Sequence, residues 1–349
     1  MGRQGLRWAA WGLASVAVLA VAGRLDAVSV APVLPDTEVD APRPPLPPVT
    51  TLQVPVAREP AGLPETPVRA AFGRDVLWVA GRRAVYHVVA KAGYQAATDV
   101  KPRSGQVLDV AAGAGGVWLA VNDPGSVWRL DPTGVPVARI PLGRTLTGVV
   151  RIAVSNGARG SVWVACCGRE DGAVLRVDAT TNRLVGEVPL QNGPAAIAAD
   201  QRDAVVITQL NEVVEISTAT GAARVVLRNS PGSLLRDVAL TPDAAWLAVP
   251  GRGVVLRRAR EGGRLTSYPL PHGVRALAAT DHGVWALSGD GMAVTPLAEG
   301  SLPPFGLLST GDEPARQLVR GRNALWLVPE RGPAVVRVFF PRNPELSQV

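Results

Sequence analysis

One apolar phrase returns along the chain: "VLWVAG" around Trp78, "GVWLAV" around Trp118, "SVWVAC" around Trp163, "AVVITQ" around Val206, "AAWLAV" around Trp246, "GVWALS" around Trp285 and "ALWLVP" around Trp326. Successive centres lie 40, 45, 43, 40, 39 and 41 residues apart. A near-constant period of that length marks a stack or ring of like units, each burying a face that it cannot cover alone. Within a unit, short β-rich runs are separated by Gly, Pro, Asp or Asn, the pattern of strands joined by hairpins. The fifth unit shows four of them: "LRDVAL", "AAWLAVP", "GVVLRRA" and "GRLTSYPL". Small residues stand ahead of the tryptophan run, as in Val110-Ala111-Ala112, Ala198-Ala199-Asp200, Val238-Ala239-Leu240 and Leu277-Ala278-Ala279. Such residues suit an innermost strand, where sheets crowd about an axis, while the tryptophan on the next strand fills space between sheets. Seven four-stranded units without helical periodicity predict an all-β fold, a seven-bladed β-propeller rather than a solenoid.

The chain ends bear on closure of the ring. "TTLQVPV" (50–56) matches the fourth-strand segments "VARIPL", "LVGEVPL" and "LTSYPL", yet nothing before it supplies the first three strands of a blade. The last unit, through "AVVRVFF", lacks a clear fourth strand. Lending 50–56 to the last blade would pair both sheet edges, which exposed strands otherwise leave open. The tail "PELSQV" is the competing fourth strand.

The propeller is thus expected over 50–349, behind two segments of other character. Residues 1–24 carry Arg3 and Arg7, then the uncharged run "WAAWGLASVAVLAVA" (8–22), then Arg24. A basic start and a 15-residue apolar core have the form of an export signal, and Ala20-Val21-Ala22 offers a cleavage pattern. The same stretch, flanked by Trp8 and Trp11, also reads as an uncleaved anchor, although a span usually needs about 20 residues. Residues 25–49 hold seven prolines between Pro32 and Pro48, a composition that stiffens a linker into polyproline II geometry. A spacer suits a tethered head, so the anchor is favoured over cleavage and secretion. Either way the propeller is expected to be extracytoplasmic, with the membrane as a partner through its N-terminal segment.

Composition adds little that points to chemistry. The 349 residues, 47% hydrophobic with 37 Gly and 31 Pro, suffice for a large, turn-rich core. The formal charge is +7, but Lys91 and Lys101 are the only lysines among 36 basic residues. So uniform a preference for arginine reflects base composition rather than a polyanion-binding surface, and no basic run interleaves with aromatics. Nucleic acid is not an expected partner.

Two stretches resemble known repeats. "GAVLRVDATTNRLVGEVPLQNGPAAIAAD" (172–200) resembles the YVTN-type bacterial surface propeller repeat, with its Asp-x-x-Thr-Asn turn and a strand ending in Pro-Leu. "GRLTSYPLPHGVRALAATDHGVWALS" (263–288) resembles the repeat of the virginiamycin B lyase-like propellers. The resemblance implies the fold over about 50–345 and says little of function, because these motifs build hairpins and packing. It would imply a lyase that uses His, Glu and a divalent metal, including a Glu-x-His pair. Here the three histidines are His87, His272 and His282, and none has a glutamate two positions before it. His87 is expected on a strand face and His282 in a tight turn. No phosphate-binding loop, G-x-S-x-G elbow, H-E-x-x-H or spaced cysteine pair occurs, so no catalytic residue, metal or cofactor is assigned. A lactonase-type metal site drawn from carboxylates on several blades stays open, and with it the alternative of a metal-using propeller enzyme.

The site expected instead lies on one face. Strand direction alternates within a blade, so loops joining second to third strands share a face with loops joining blades. On the former lie Arg82, Arg83, Asp123, Cys166, Cys167, Arg169, Glu170, Arg252, Asp290 and Arg331; on the latter lies His272. Several arginines interrupted by acids suit an anionic or carboxylate-bearing small ligand, or a protein partner, gripped by guanidinium forks. "GSVWVACCGRED" (160–171) holds the only two cysteines side by side. Outside the cytoplasm they could form a strained vicinal disulfide, stay as buried thiols, or link to another chain. The sequence reading is therefore a tethered binding or sensing head without catalysis.

Overall fold

The structure is a computed structural model and describes residues 57–339, apart from 90–95, 101–104, 158–159, 230–232, 282, 299–307, 310–312 and 323. The leader 1–24 and the linker 25–49 lie outside the described residues. Among the described residues no helix is long and apolar enough to cross a membrane.

Seven four-stranded antiparallel sheets form seven blades. Blade 1 runs from Arg69 to Val100, blade 2 from Val107 to Pro141, blade 3 from Arg151 to Pro189 and blade 4 from Pro194 to Arg228. Blade 5 runs from Asp237 to Pro269, blade 6 from Ala276 to Ser309, and blade 7 takes its first three strands from Ala315 to Phe339. The first strands of neighbouring blades touch one another all the way round, blade 7 against blade 1 included, so the ring is closed about an axis.

Closure uses the chain's other end, at a later segment than the sequence suggested. The strand Ala57–Gly62 pairs antiparallel with Ala334–Phe339, from Ala57 opposite Phe339 to Gly62 opposite Ala334, and is the outermost strand of blade 7. The pairing segment is therefore "AREPAG", whereas "TTLQVPV" (50–56) and "PELSQV" lie outside the described residues. Pro60 fits there because an outermost strand leaves one row of N–H groups without a sheet partner.

The core is divided among the blade interfaces. Seven clusters of buried side chains each sit between two successive blades. Each tryptophan of the repeat faces the following blade: Trp78 packs with Val110 and Val117 of blade 2, and Trp118 with Ile152 and Val154 of blade 3. Opposite the tryptophan, on the third strand, an arginine lies over the indole in four blades. Arg129 covers Trp118 at 5.1 Å, Arg176 covers Trp163 at 5.1 Å, Arg257 covers Trp246 at 5.8 Å and Arg337 covers Trp326 at 5.7 Å. A cation over an indole face adds roughly 0.5–2 kcal/mol. In blade 1 His87 takes that place, its ring 5.7 Å from Trp78, which is the strand-face position expected for it.

Blade 4 departs from this arrangement and corrects the reading of its repeat. The residue aligned with the tryptophans is Val205, not Val206: Val205 lies opposite Ala198 as Trp118 lies opposite Ala111, and it faces blade 5 while Val206 faces blade 3. A run buried on both faces has no polar alternation to mark its phase. Across from Val205 stands Glu215 where other blades carry arginine. Glu215 accepts hydrogen bonds from Arg258 of blade 5 at 2.6 Å and from Arg224 at 2.9 Å. An arginine from the next blade thus reaches the position opposite Val205, and the charge there is inverted relative to the other blades.

Candidate functional site: the channel mouth

The second-to-third loops and the loops between blades share a face, as the alternation of strands requires. Where the first strands begin on that face, a cavity of about 190 Å³ opens over the axis. Arg69, Asp109, Arg151, Ala196, Asp237, Ala276 and Gln317 occupy one equivalent position in the seven first strands. Each lies opposite the second residue after the tryptophan or its counterpart. One residue earlier, blades 5, 6 and 7 add Arg236, Arg275 and Arg316.

The two acids fasten the ring. Asp109 accepts the N–H of Val110 at 2.9 Å and that of Ile152, in blade 3, at 3.0 Å. Asp237 does the same with Val238 at 3.0 Å and with Leu277 of blade 6 at 2.8 Å. Gln317 plays the neutral version, accepting from Ala70 N–H and donating to Ala70 C=O, both at 2.9 Å, and so joins blade 7 to blade 1. Burial pushes the carboxyls of Asp109 and Asp237 above the ordinary range, against the pull of Arg69, Arg151 and the donated N–H groups.

The bases are held less completely. Arg275 donates to Gly289 C=O at 3.0 Å and Ala315 C=O at 3.1 Å and pairs with Glu330. Arg316 is pinned to the carbonyls of Pro329 at 2.9 Å and Glu330 at 2.8 Å. Among the described residues Arg151 hydrogen-bonds through its side chain only to its neighbour's carbonyl, Val150, at 2.8 Å. Arg69 and Arg236 make no side-chain hydrogen bond among the described residues. Burial, then the like charge of Arg69, depresses the proton affinity of both Arg151 and Arg316. The arginines therefore repel one another across the cavity, a cost that a bound anion would remove.

Of the eleven residues singled out from sequence, Cys166 ends a strand at this face and the others lie on its loops, but none lines the cavity. Arg82 and Arg83 ride an exposed turn whose N–H groups Glu65 gathers, at 3.1 and 3.3 Å. Asp123 meets Arg139 at 3.5 Å. Arg169, Glu170 and Arg331 are exposed. Arg252 ends a short 3-10 turn and bonds Ser233. Asp290 caps its own turn, accepting from Ser288 and from Met292 N–H. His272 is exposed, and its carbonyl takes the Gly289 N–H at 2.9 Å. His282 lies outside the described residues. Missed by the sequence reading were Arg69, Asp109, Arg151, Arg236, Asp237, Arg275 and Arg316. Their signal was present: in six units the mouth residue stands nine positions before the tryptophan or Val205, and twelve before it in the third.

Cys166 ends the second strand of blade 3 and Cys167 begins the loop after it, both fully buried, as free thiols. Cys167 adopts the left-handed region at φ 79°, rare for a residue with a side chain. Arg144 Nη1 lies 3.8 Å from its sulfur and donates also to Asp171 C=O at 3.4 Å, tying the interblade loop to the 166–171 loop. Burial pushes the Cys166 thiol well up, with the neighbouring Cys167 adding to it. Buried, protonated thiols are inert. Native protein is therefore expected to resist alkylation and to take up two alkyl groups only after denaturation without reductant; mass measurement reads this directly.

Among the described residues no three His, Cys, Asp or Glu side chains gather as a metal site. What the fold and mouth define is a seven-bladed β-propeller with a predominantly cationic opening. No protein-family model matches the chain, and no curated relative matches it in sequence. Among solved structures its fold is similar to virginiamycin B lyase from Staphylococcus aureus, with a TM-score of 0.67 and 14% identity over 82% of this chain and 100% of that one. It is also similar to the Pan2 WD40 domain of Neurospora crassa (TM-score 0.64, 11% identity, 80% and 90% covered). Hydrazine synthase of Kuenenia stuttgartiensis shares the fold as well (TM-score 0.63, 19% identity, 80% and 96% covered). The first of these agrees with the lyase-like resemblance read from 263–288. At such identities the likeness is one of fold.

Proposed function

We propose that the propeller is a non-catalytic binding head that seats a small anionic ligand at its channel mouth, held outside the cytoplasm on the Pro-rich linker by an N-terminal membrane anchor. The observation that carries the reading is the surplus of guanidinium groups in one cavity: five arginines against two aspartates whose oxygens are already engaged by backbone N–H groups. Arg69 and Arg236, with no side-chain hydrogen bond among the described residues, face this confined space, where guanidinium forks favour carboxylates or oxyanions. The charged leader and the proline run support the tether.

Calorimetry with sulfate, succinate and citrate, against a neutral polyol, tests the site. Binding by the anions alone is expected, weakened about tenfold or more in Arg69→Ala, since a hydrogen bond to a charged group contributes about 1.5–3 kcal/mol. No anion binding, or undiminished binding in Arg69→Ala, overturns the reading. Thermal stabilisation by a divalent metal, about 2.7 kcal/mol at 100 times its dissociation constant, would instead favour the enzyme alternative. Fractionation of cells making the full chain checks the tether: recovery in the membrane pellet is expected, and recovery only in soluble fractions removes it.

A further inference from the structure

We propose that the mouth binds its anion together with a proton, taken up on Asp109 or Asp237, so that acidification tightens the grip. This rests on the reading of the mouth as an anion site and adds how that site is regulated. Both carboxylates line the same cavity as the arginines, rather than standing behind them. Each is wedged between two first strands, and neither is free to swing toward solvent, because its two oxygens hold N–H groups of two different blades.

The charges facing them are set by position. Around Asp109, blade 1 presents Arg69 and blade 3 presents Arg151. Asp237 feels the same Arg69 and Arg151 across the cavity, with Arg236 beside it and Arg275 immediately before the adjoining first strand of blade 6. The first strand of blade 4, on its other side, carries no titratable residue. Without an anion the arginines favour the ionised carboxylates, countering the upward push of burial. An anion seated among those arginines reverses the balance: it answers the guanidinium charge and places like charge beside a buried carboxylate. Both changes raise proton affinity. By linkage, a ligand that raises the proton affinity of a site is itself bound more tightly when that site is protonated.

The sign follows from the starting state. Burial already holds both carboxyls above the usual carboxylate range, so their titration begins nearer neutrality than that of exposed acids. As pH falls through that raised range, negative charge leaves the cavity and the net charge facing the anion becomes more positive. One full proton taken up makes the dissociation constant fall tenfold per pH unit, and a partial uptake proportionately less.

The test uses anions of strong acids, sulfate and ethanedisulfonate, whose own charge is constant between about pH 5 and 8. Calorimetry of the whole chain in two buffers of different ionisation enthalpy reads proton uptake without any substitution. Expected are a buffer-dependent heat corresponding to net uptake and a three- to tenfold tightening per pH unit on acidification. Asp109→Asn and Asp237→Asn, singly and together, are expected to flatten that slope and to strengthen binding at the alkaline end. Binding that is equally tight across the range, with no proton uptake by wild type, overturns the proposal and leaves the anion site standing. Absence of anion binding at every pH overturns both. A slope that persists undiminished in the folded double variant, checked by its β-sheet circular dichroism, also overturns it.

Discussion

Glu215→Arg is expected to lower the melting temperature by about 10–20 °C. Glu215 is 6% exposed and holds Arg258, whose side chain is 11% exposed, together with Arg224. Removing one partner of a buried pair costs about 3–5 kcal/mol, because the remaining charge has no water to return to. Reversing the charge sets three guanidinium groups against one another. In a domain of this size each kcal/mol shifts the midpoint by roughly 2–4 °C. Glu215→Gln keeps the side-chain shape and one acceptor for Arg258, at the loss of the acceptor for Arg224, whose side chain is 63% exposed, and should lose clearly less. The informative control restores the pattern of the other blades: Val205→Trp with Glu215→Arg and Arg258→Leu. That variant places a cation over an indole and removes the competing charge, so it should recover most of the loss. Differential scanning calorimetry of the four proteins decides; a single Glu215→Arg chain as stable as wild type would refute the compensation between blades 4 and 5.

Starting the chain at residue 63 should be more damaging still. The strand Ala57–Gly62 supplies six backbone pairs to Ala334–Phe339 and buries Ala61, at 2% exposure, against Trp326, Val335 and Tyr86. Each net hydrogen bond contributes about 1 kcal/mol, and the lost apolar cover adds to that. The freed edge would offer "AVVRVF" (334–339) as a template for pairing between molecules. A chain beginning at residue 50 is expected to stay soluble and monomeric in light scattering, whereas one beginning at 63 should aggregate. Equal behaviour of the two would mean that blade 7 is completed otherwise.

The architecture was legible because bulky residues mark phase. Trp78, Trp118, Trp163, Trp246, Trp285 and Trp326 sit on one strand of successive units, and their spacing gave number and order of blades. Where that marker is missing, the reading slipped: Val205, Val206 and Ile207 are all buried, and nothing in three aliphatic residues tells which faces forward. The closing strand was placed early because "VPV" in 50–56 looks like the edge segments elsewhere, while "AREPAG" has neither alternation nor β-branched residues. Its pairing comes from ring geometry, not local propensity. The mouth was harder to see for another reason. Attention to loops follows from where ligands commonly bind, but the polar lining arises from the first turnward residues of inner strands, each of which looks like an ordinary strand end. Arg69, Asp109 and Arg151 gain meaning only when seven such ends converge.

Fastening the last blade with the first strand also sets a schedule for biosynthesis. Residues 57–62 leave the ribosome some 270 positions ahead of their mates at 334–339, which at 5–20 residues per second is roughly 15–50 s of waiting. Throughout that interval six blades can assemble in order while a short, proline-containing ribbon stays single. The ring can close only once residue 339 has been made, so vulnerability to premature cleavage or misassociation is concentrated in the growing chain.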